Sequence, residues 1–133
     1  MPLTVIVFLQ RKVGVTPQDF KNHYENHMLL AKEIAGSTFP TLHKRLYLTR
    51  TPQDRASSDP SNANHLPTVF AGQPADFSWD VLVEMVFNNM EHFQAFQAAL
   101  AAQGERIAND EQNFLDQSRM YVAQVDDSLE TRS

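Results

Sequence analysis

Five histidines and no cysteine set the chemistry open to this chain. Without a thiol, disulfides, thiolate catalysis and cysteine-based zinc or iron–sulfur sites are excluded together. Imidazole titrates near neutrality and moves protons, so the histidines that a fold can bury beside a ligand are the residues to place first. His23 and His27 lie four apart in the run HYENH. His43 lies in TLHKRLYLTR with Arg45 and Tyr47 at alternate positions. Tyr24 sits between the first two. Tyrosine and arginine add what a proton carrier lacks, a hydroxyl donor and a planar fork for anionic oxygens. The i, i+4 histidine spacing also occurs in zinc sites, but HYENH matches neither zincin order and no third ligand is evident, so no metal is expected. With four glycines there is no phosphate-cradling loop, and no nucleotide cofactor is expected either. A lone histidine on an apolar face is more often a core residue satisfied by one hydrogen bond. His65 falls in a long loop with no local support for a role.

The element that positions the first histidines is a helix from Thr16 to Gly36. Thr16 supplies an N-cap oxygen, Pro17 fits the first helical position, Asp19 completes a capping box, and Gly36 stops the helix. At about 100° per residue, Phe20, Tyr24, His27, Ala31 and Ile34 form one stripe, with Lys21, Asn22, Glu25, Asn26, Lys32 and Glu33 opposite. His27 is predicted inside and His23 at the rim.

Strands frame this helix. Leu3 to Leu9 is apolar on both faces, so both must be covered. Thr41 to Arg50 alternates, with His43, Arg45, Tyr47 and Thr49 on one face and Leu42, Lys44, Leu46 and Leu48 on the other; the polar row is either a charged edge or a pocket wall. Residues 51–75 carry four prolines among polar residues and read as a long lid, docked through Leu66, Val69 and Phe70. Phe77 to Phe87 is the strongest strand, with Phe77, Trp79, Val81, Val83, Met85 and Phe87 on one face. Its other face carries Asp80 and Glu84, expected to pair with Arg45, Lys44 or Arg119. A second helix capped by Asn88 or Asn89 runs to Gln103 with Phe93, Phe96 and Leu100 inward. A third runs from about Glu105 to Asp116 along Ile107 and Phe114, flanked by Asp110 and Glu111, which read as capping residues or partners of a sheet arginine. Arg119 to Val125 is the last strand, and residues 126–133 are a polar tail.

A chain of 133 residues suits one domain, 1–133. The net charge of −5 and the lack of any basic run argue against a nucleic-acid partner. No apolar run reaches a membrane span, and with no charged leader the expected location is cytoplasmic. Nine phenylalanines and five methionines suit a core or a cavity for a flat apolar ligand. The order strand, helix, strand, strand, helix, strand predicts an α+β, ferredoxin-like split βαβ fold: four antiparallel strands, helices on one face, and the first and third long strands central. The uncovered face of the first strand, and the Trp79 row, require a partner. A homodimer with two sheets face to face meets that need.

The stretches FKNHYENHMLLAKEIAG, FPTLHKRLYLTR, ADFSWDVLVEMVF and RIANDEQNFLDQSRM resemble successive blocks of the EthD family of dimeric α/β-barrel proteins. The likeness spans nearly the whole chain apart from the long loop. It is nearest to small fungal members found beside polyketide synthases, several of them assigned as decarboxylases or cyclases of anthraquinone-type polyketides. The resemblance implies a lyase without metal or organic cofactor, decarboxylating an aromatic polyketide carboxylic acid, with cyclisation or dehydration as the alternative. A non-catalytic polyketide-binding accessory protein is a further alternative. Haem, used by other dimeric α/β barrels, is not required by any residue. On this reading His27 and His43 are the catalytic candidates, with His23 the other candidate on the helix. Tyr24, Arg45, Tyr47 and His23 are the substrate-binding candidates.

Overall fold

The computed structural model describes residues 2–52 and 65–133. Strand β1 (Leu3–Leu9) shows why the covering layer forms: Leu3, Val5, Val7 and Leu9 are buried while Thr4, Ile6 and Phe8 between them are half-exposed. One face of an extended chain takes every second residue, so the helices cover a single set. Helix α1 (Pro17–Ala35) lies on that face with both ends as read from the sequence. The Thr16 hydroxyl accepts the Asp19 N–H at 3.0 Å, and Gly36 follows the helix at φ 56°, a conformation that disfavours side chains. Its buried stripe is Phe20, Tyr24, His27, Ala31 and Ala35. Ile34 is only half-buried, because from His27 the stripe advances by two steps of four and reaches Ala35.

β2 (Leu42–Tyr47) pairs with β5 (Val81–Phe87), β5 with β1, and β1 with β6 (Tyr121–Val125), giving an antiparallel sheet in the order β2-β5-β1-β6. β1 and β5 are central, as expected. The register settles which rows share a face. Val5 and Val7 of β1, Met85 and Val83 of β5, and His43 and Arg45 of β2 lie side by side toward the helices. Ile6 and Phe8, Glu84 and Leu82, Lys44 and Leu46, and Ala123 and Tyr121 form the opposite, outer face. The predicted Trp79 row is therefore divided. Val81, Val83 and Phe87 are buried beneath the helices, whereas Trp79 precedes the strand and packs edge-on against Phe8, with ring centres 5.8 Å apart.

β2 ends earlier than predicted. The Leu48 N–H bonds to the Asp80 carbonyl, and the chain turns into a two-stranded ribbon of β3 (Arg50–Pro52) and β4 (His65–Pro67). The expected lid thus includes a strand and a short 3-10 turn at Pro74–Asp76, while residues 53–64 lie outside the described residues. The expected docking patch is not seen: Pro67 is buried, but Leu66 is exposed and Phe70 almost wholly so.

Helix α2 (Met90–Ala102) is capped by Asn89, whose side chain accepts the His92 N–H at 2.8 Å, and Phe96 is buried on its inner side. Helix α3 (Gly104–Glu111) stops five residues short of the expected Asp116. There the chain leaves the helix to run beside the end of β1, with Lys12 N–H on the Phe114 carbonyl and Asp116 N–H on the Gln10 carbonyl. Phe114 is fully buried from this irregular segment, not from a helix.

Asp80 binds two arginines, neither of them among the partners expected. Its carboxylate accepts the Arg11 Nε–H at 2.8 Å and the Arg11 backbone N–H at 2.7 Å, and forms an ion pair with Arg50 at an Nε distance of 2.6 Å. Arg50 also donates to the His65, Phe77 and Trp79 carbonyls, tying the ribbon to the sheet. Glu84 instead stands on the outer face opposite Lys44. Because Arg11, Arg50 and Asp80 side chains are each 7% exposed, removing the carboxylate strands two buried cations. Asp80→Ala is expected to cost about 3–5 kcal/mol in urea denaturation.

Candidate functional site

Between the helices and the inner sheet face lies a cavity of ≈220 Å³, floored by Val7, Leu9, Val83 and Met85. Phe39, Phe93 and Phe96 wall one side, and Met28 and Ala31 of α1 close it above. Tyr24, His27, His43, Gln97 and Glu111 are the polar residues that reach it. His43, Met28 and Phe39 also border a wider groove of ≈520 Å³ along the β2 edge, so these three form the partition between cavity and groove.

His27 is 5% exposed and is held between two carboxylates. Its Nδ1 lies 2.6 Å from Asp110 Oδ2 and its Nε2 3.7 Å from Glu111 Oε2. A carboxylate only accepts, so Nδ1 carries the hydrogen in that bond, and in the neutral form of the ring the lone pair is on Nε2, on the side of the Glu111 carboxylate. Asp110 and Glu111 were expected to cap a helix or meet a sheet arginine, and instead serve the histidine. Only the observed end of α3 at Glu111 puts these acids in a last turn, where they oppose the helix dipole; with the helix expected to run to Asp116, no sequence signal marked them.

The second histidine sits in a different chain of contacts. Arg45 grips Glu25 through Nε at 2.6 Å and a terminal nitrogen at 2.9 Å. Its other terminal nitrogen lies 3.1 Å from His43 Nδ1 and 3.3 Å from the His43 carbonyl. His43 Nε2 in turn lies 3.4 Å from the Tyr24 hydroxyl. Glu25, expected on the solvent side of α1, also accepts the Tyr47 hydroxyl at 2.5 Å. Burial acts to raise the Glu25 carboxyl, but hydrogen bonds from Arg45 and Tyr47 outweigh it and the net shift is downward. The hydrogen bond to Glu25 raises Arg45 in turn. Burial, and then the Arg45 charge, push His43 down to about 4. Burial raises both phenols, that of Tyr47 with help from its bond to Glu25.

The structure thus brings Tyr24, His27 and His43 to one cavity. Arg45 and Tyr47 stand behind His43, engaged with Glu25. His23 is exposed and stacks on Phe114 with ring centres 5.8 Å apart, away from the cavity. Among the described residues no cluster of three or more His, Cys, Asp or Glu is placed to hold a metal, and no helix is long and apolar enough to cross a membrane.

The EthD domain model matches residues 12–118. No curated protein matches the chain. Among solved structures, a protein from Arabidopsis thaliana is similar at 11% identity and a TM-score of 0.58, over 98% of this chain and 99% of the other. An EthD-like protein from Ralstonia eutropha is similar at 15% identity and a TM-score of 0.51, over 92% and 89%. A dimeric ferredoxin-like protein of unknown function from Thermobifida fusca follows at 16% identity and a TM-score of 0.48, over 94% and 90%. At these identities the likeness to the first two shows a shared fold.

The depressed His43 links pH to stability. Between its ordinary value of 6.5 and its folded value of about 4, the unfolded chain binds a proton that the folded chain refuses. Stability therefore falls as pH drops through that window and this contribution levels off below it. Urea denaturation across the window is expected to show a shallower acid-side loss in His43→Asn than in the wild type.

Proposed function

We propose that this chain, which belongs to the EthD domain family, is a lyase that decarboxylates an aromatic polyketide carboxylic acid without a cofactor. One observation carries the reading: a buried histidine, oriented by a carboxylate at Nδ1, presents Nε2 at the wall of an apolar cavity. Loss of carbon dioxide from a β-keto acid breaks a carbon–carbon bond, and its electron pair passes to the keto oxygen to give an enol. The site must stabilise charge on that oxygen and then return a proton to carbon. His27 is the proton carrier in this reading, and the Tyr24 hydroxyl, one helical turn away with His43 behind it, is the polar group left for the oxygen. The phenylalanine walls suit the flat ring system.

The same family reading makes the protein a homodimer that closes two sheets into a barrel. The outer sheet face supports it. Leu42, Leu46 and Tyr121 are exposed there, with half-buried Ile6, Phe8, Leu82 and Val86 between them and Lys44 and Glu84 the charges on the four strands they span. An apolar face of this kind is covered in soluble assemblies, and a second copy brings a matching one.

Two measurements test these proposals. Chelator-treated protein incubated with a polyketide β-keto acid is expected to release carbon dioxide, and His27→Ala to lower kcat by about 10²–10⁴. Ring closure or water loss without carbon dioxide would instead make it a cyclase or dehydratase. If His27→Ala leaves both turnover and ligand affinity unchanged, the histidine does no chemistry. Light scattering at micromolar concentration is expected to give twice the 15.1 kDa chain mass, and Leu46→Glu to give the monomer.

A further inference from the structure

We propose that Tyr24 is the hydrogen-bond donor to the ligand oxygen, and that Glu25 and Arg45 are positioning residues which direct that hydroxyl by fixing the tautomer of His43. The proposal rests on the cavity's being the site of the reaction proposed above, and it divides the work there: His27 carries the proton and Tyr24 holds the oxygen.

The argument follows donors and acceptors from the outside inward. The Glu25 carboxylate accepts only, and it takes Arg45 Nε–H and one terminal N–H. This leaves the other terminal nitrogen of Arg45 facing His43 Nδ1 at 3.1 Å. A guanidinium has donors and no acceptor, so Nδ1 must offer its lone pair. In a neutral imidazole the hydrogen is then on Nε2, which faces the Tyr24 oxygen at 3.4 Å and donates to it. Tyr24 therefore accepts from His43 and keeps its own hydrogen for another partner. Among the described residues its hydroxyl makes no further hydrogen bond. Tyr24 is 4% exposed and lines the cavity; Gln97 and Glu111 also reach it but neither takes this hydrogen, which leaves it for a ligand oxygen.

The same contacts prevent His43 from acting as a proton carrier near neutrality. A second ring hydrogen on Nδ1 would point at the Arg45 N–H groups, donor against donor, and burial adds to that penalty. Its role runs through Tyr24. Arg45 does likewise: with Nε and both terminal nitrogens engaged by Glu25 and His43, it is not free to clasp a substrate carboxylate.

The relay can be read without turnover. Protein labelled with ¹⁵N in its histidine rings is expected to show His43 neutral at pH 7 with the hydrogen on Nε2. Glu25→Gln should weaken that preference, and Arg45→Met should abolish it and leave a mixture of tautomers. An imidazolium, or a hydrogen on Nδ1 in the wild type, would overturn the relay. In NMR shift titrations the wild type is expected to bind 1-naphthol about tenfold tighter than naphthalene. Tyr24→Phe should lose that preference while binding naphthalene as before, and Arg45→Met should lose most of it. If Tyr24→Phe keeps the preference, or if neither probe enters the wild-type cavity, the proposal fails. Should the preference hold while no β-keto acid is decarboxylated, the assigned reaction falls and the donor stands.

Discussion

A buried imidazole has two polar nitrogens to satisfy, and the fold around α1 follows from how His27 meets that requirement. At 5% exposure an unpaired nitrogen would cost about 1–3 kcal/mol, a sizeable part of the margin by which a domain of this size is folded. Asp110 supplies the partner at 2.6 Å, which requires the end of α3 to lie against the middle of α1. The chain beyond α3 is then close enough to β1 to pair with it at Lys12 and Gln10. Phe114 drops into the gap, its ring within 5.4–6.2 Å of those of Phe20, His23, Tyr24 and His27. One polar contact and one aromatic plug thus join the helix that carries the histidine to the segment that carries its carboxylates.

Charge is used in two ways in this molecule, and burial separates them. Asp80 and its two arginines are sealed at 7% exposure, with all three side chains committed to one another or to backbone carbonyls. Burial lowers Arg50 on balance, with the Asp80 charge working against that shift and the Arg11 charge adding to it, so the carboxylate is what makes the two buried cations tolerable. This cluster fastens the ribbon to the sheet. Glu25 and Arg45 are 40% and 31% exposed, where screening leaves an ion pair little to contribute to stability. What this pair supplies is direction, since a bidentate fork fixes the plane of the guanidinium and with it the donor aimed at His43.

The features legible in the sequence were those written locally. Thr16, Pro17 and Gly36 mark the ends of α1 by their own backbone preferences, and a period of 3.6 brings Tyr24 and His27 inward whatever packs on them. The apolar character of Leu3–Leu9 and Val81–Phe87 was enough to place them at the sheet centre. What could not be read was partnership across long separations. Nothing near Asp110 names a histidine 83 residues earlier, and nothing near Asp80 names Arg11, 69 residues away. Irregular backbone was equally opaque. The unwinding after Glu111 answers to β1 and not to any helix breaker, and the β3–β4 ribbon lacks the alternation that marks longer strands.

Strand β2 joins the remaining parts of the argument. In an ordinary two-layer domain an edge strand turns its apolar row toward the core and its polar row toward water. Here the order is reversed: His43, Arg45 and Tyr47 face α1, and Leu42 and Leu46 face outward. The inner row can be polar because Glu25 reaches across from α1 to satisfy it, and the leucines become reasonable once a second sheet covers them. In the proposed dimer the same six residues therefore serve the interface on one side and the cavity wall on the other. Side chains on a strand alternate with a period of two, so a one-residue slip of β2 would exchange the two rows. Holding the leucines against a partner also holds the register that keeps His43 at Tyr24, and assembly in that arrangement stabilises the geometry of the site as well as its cover.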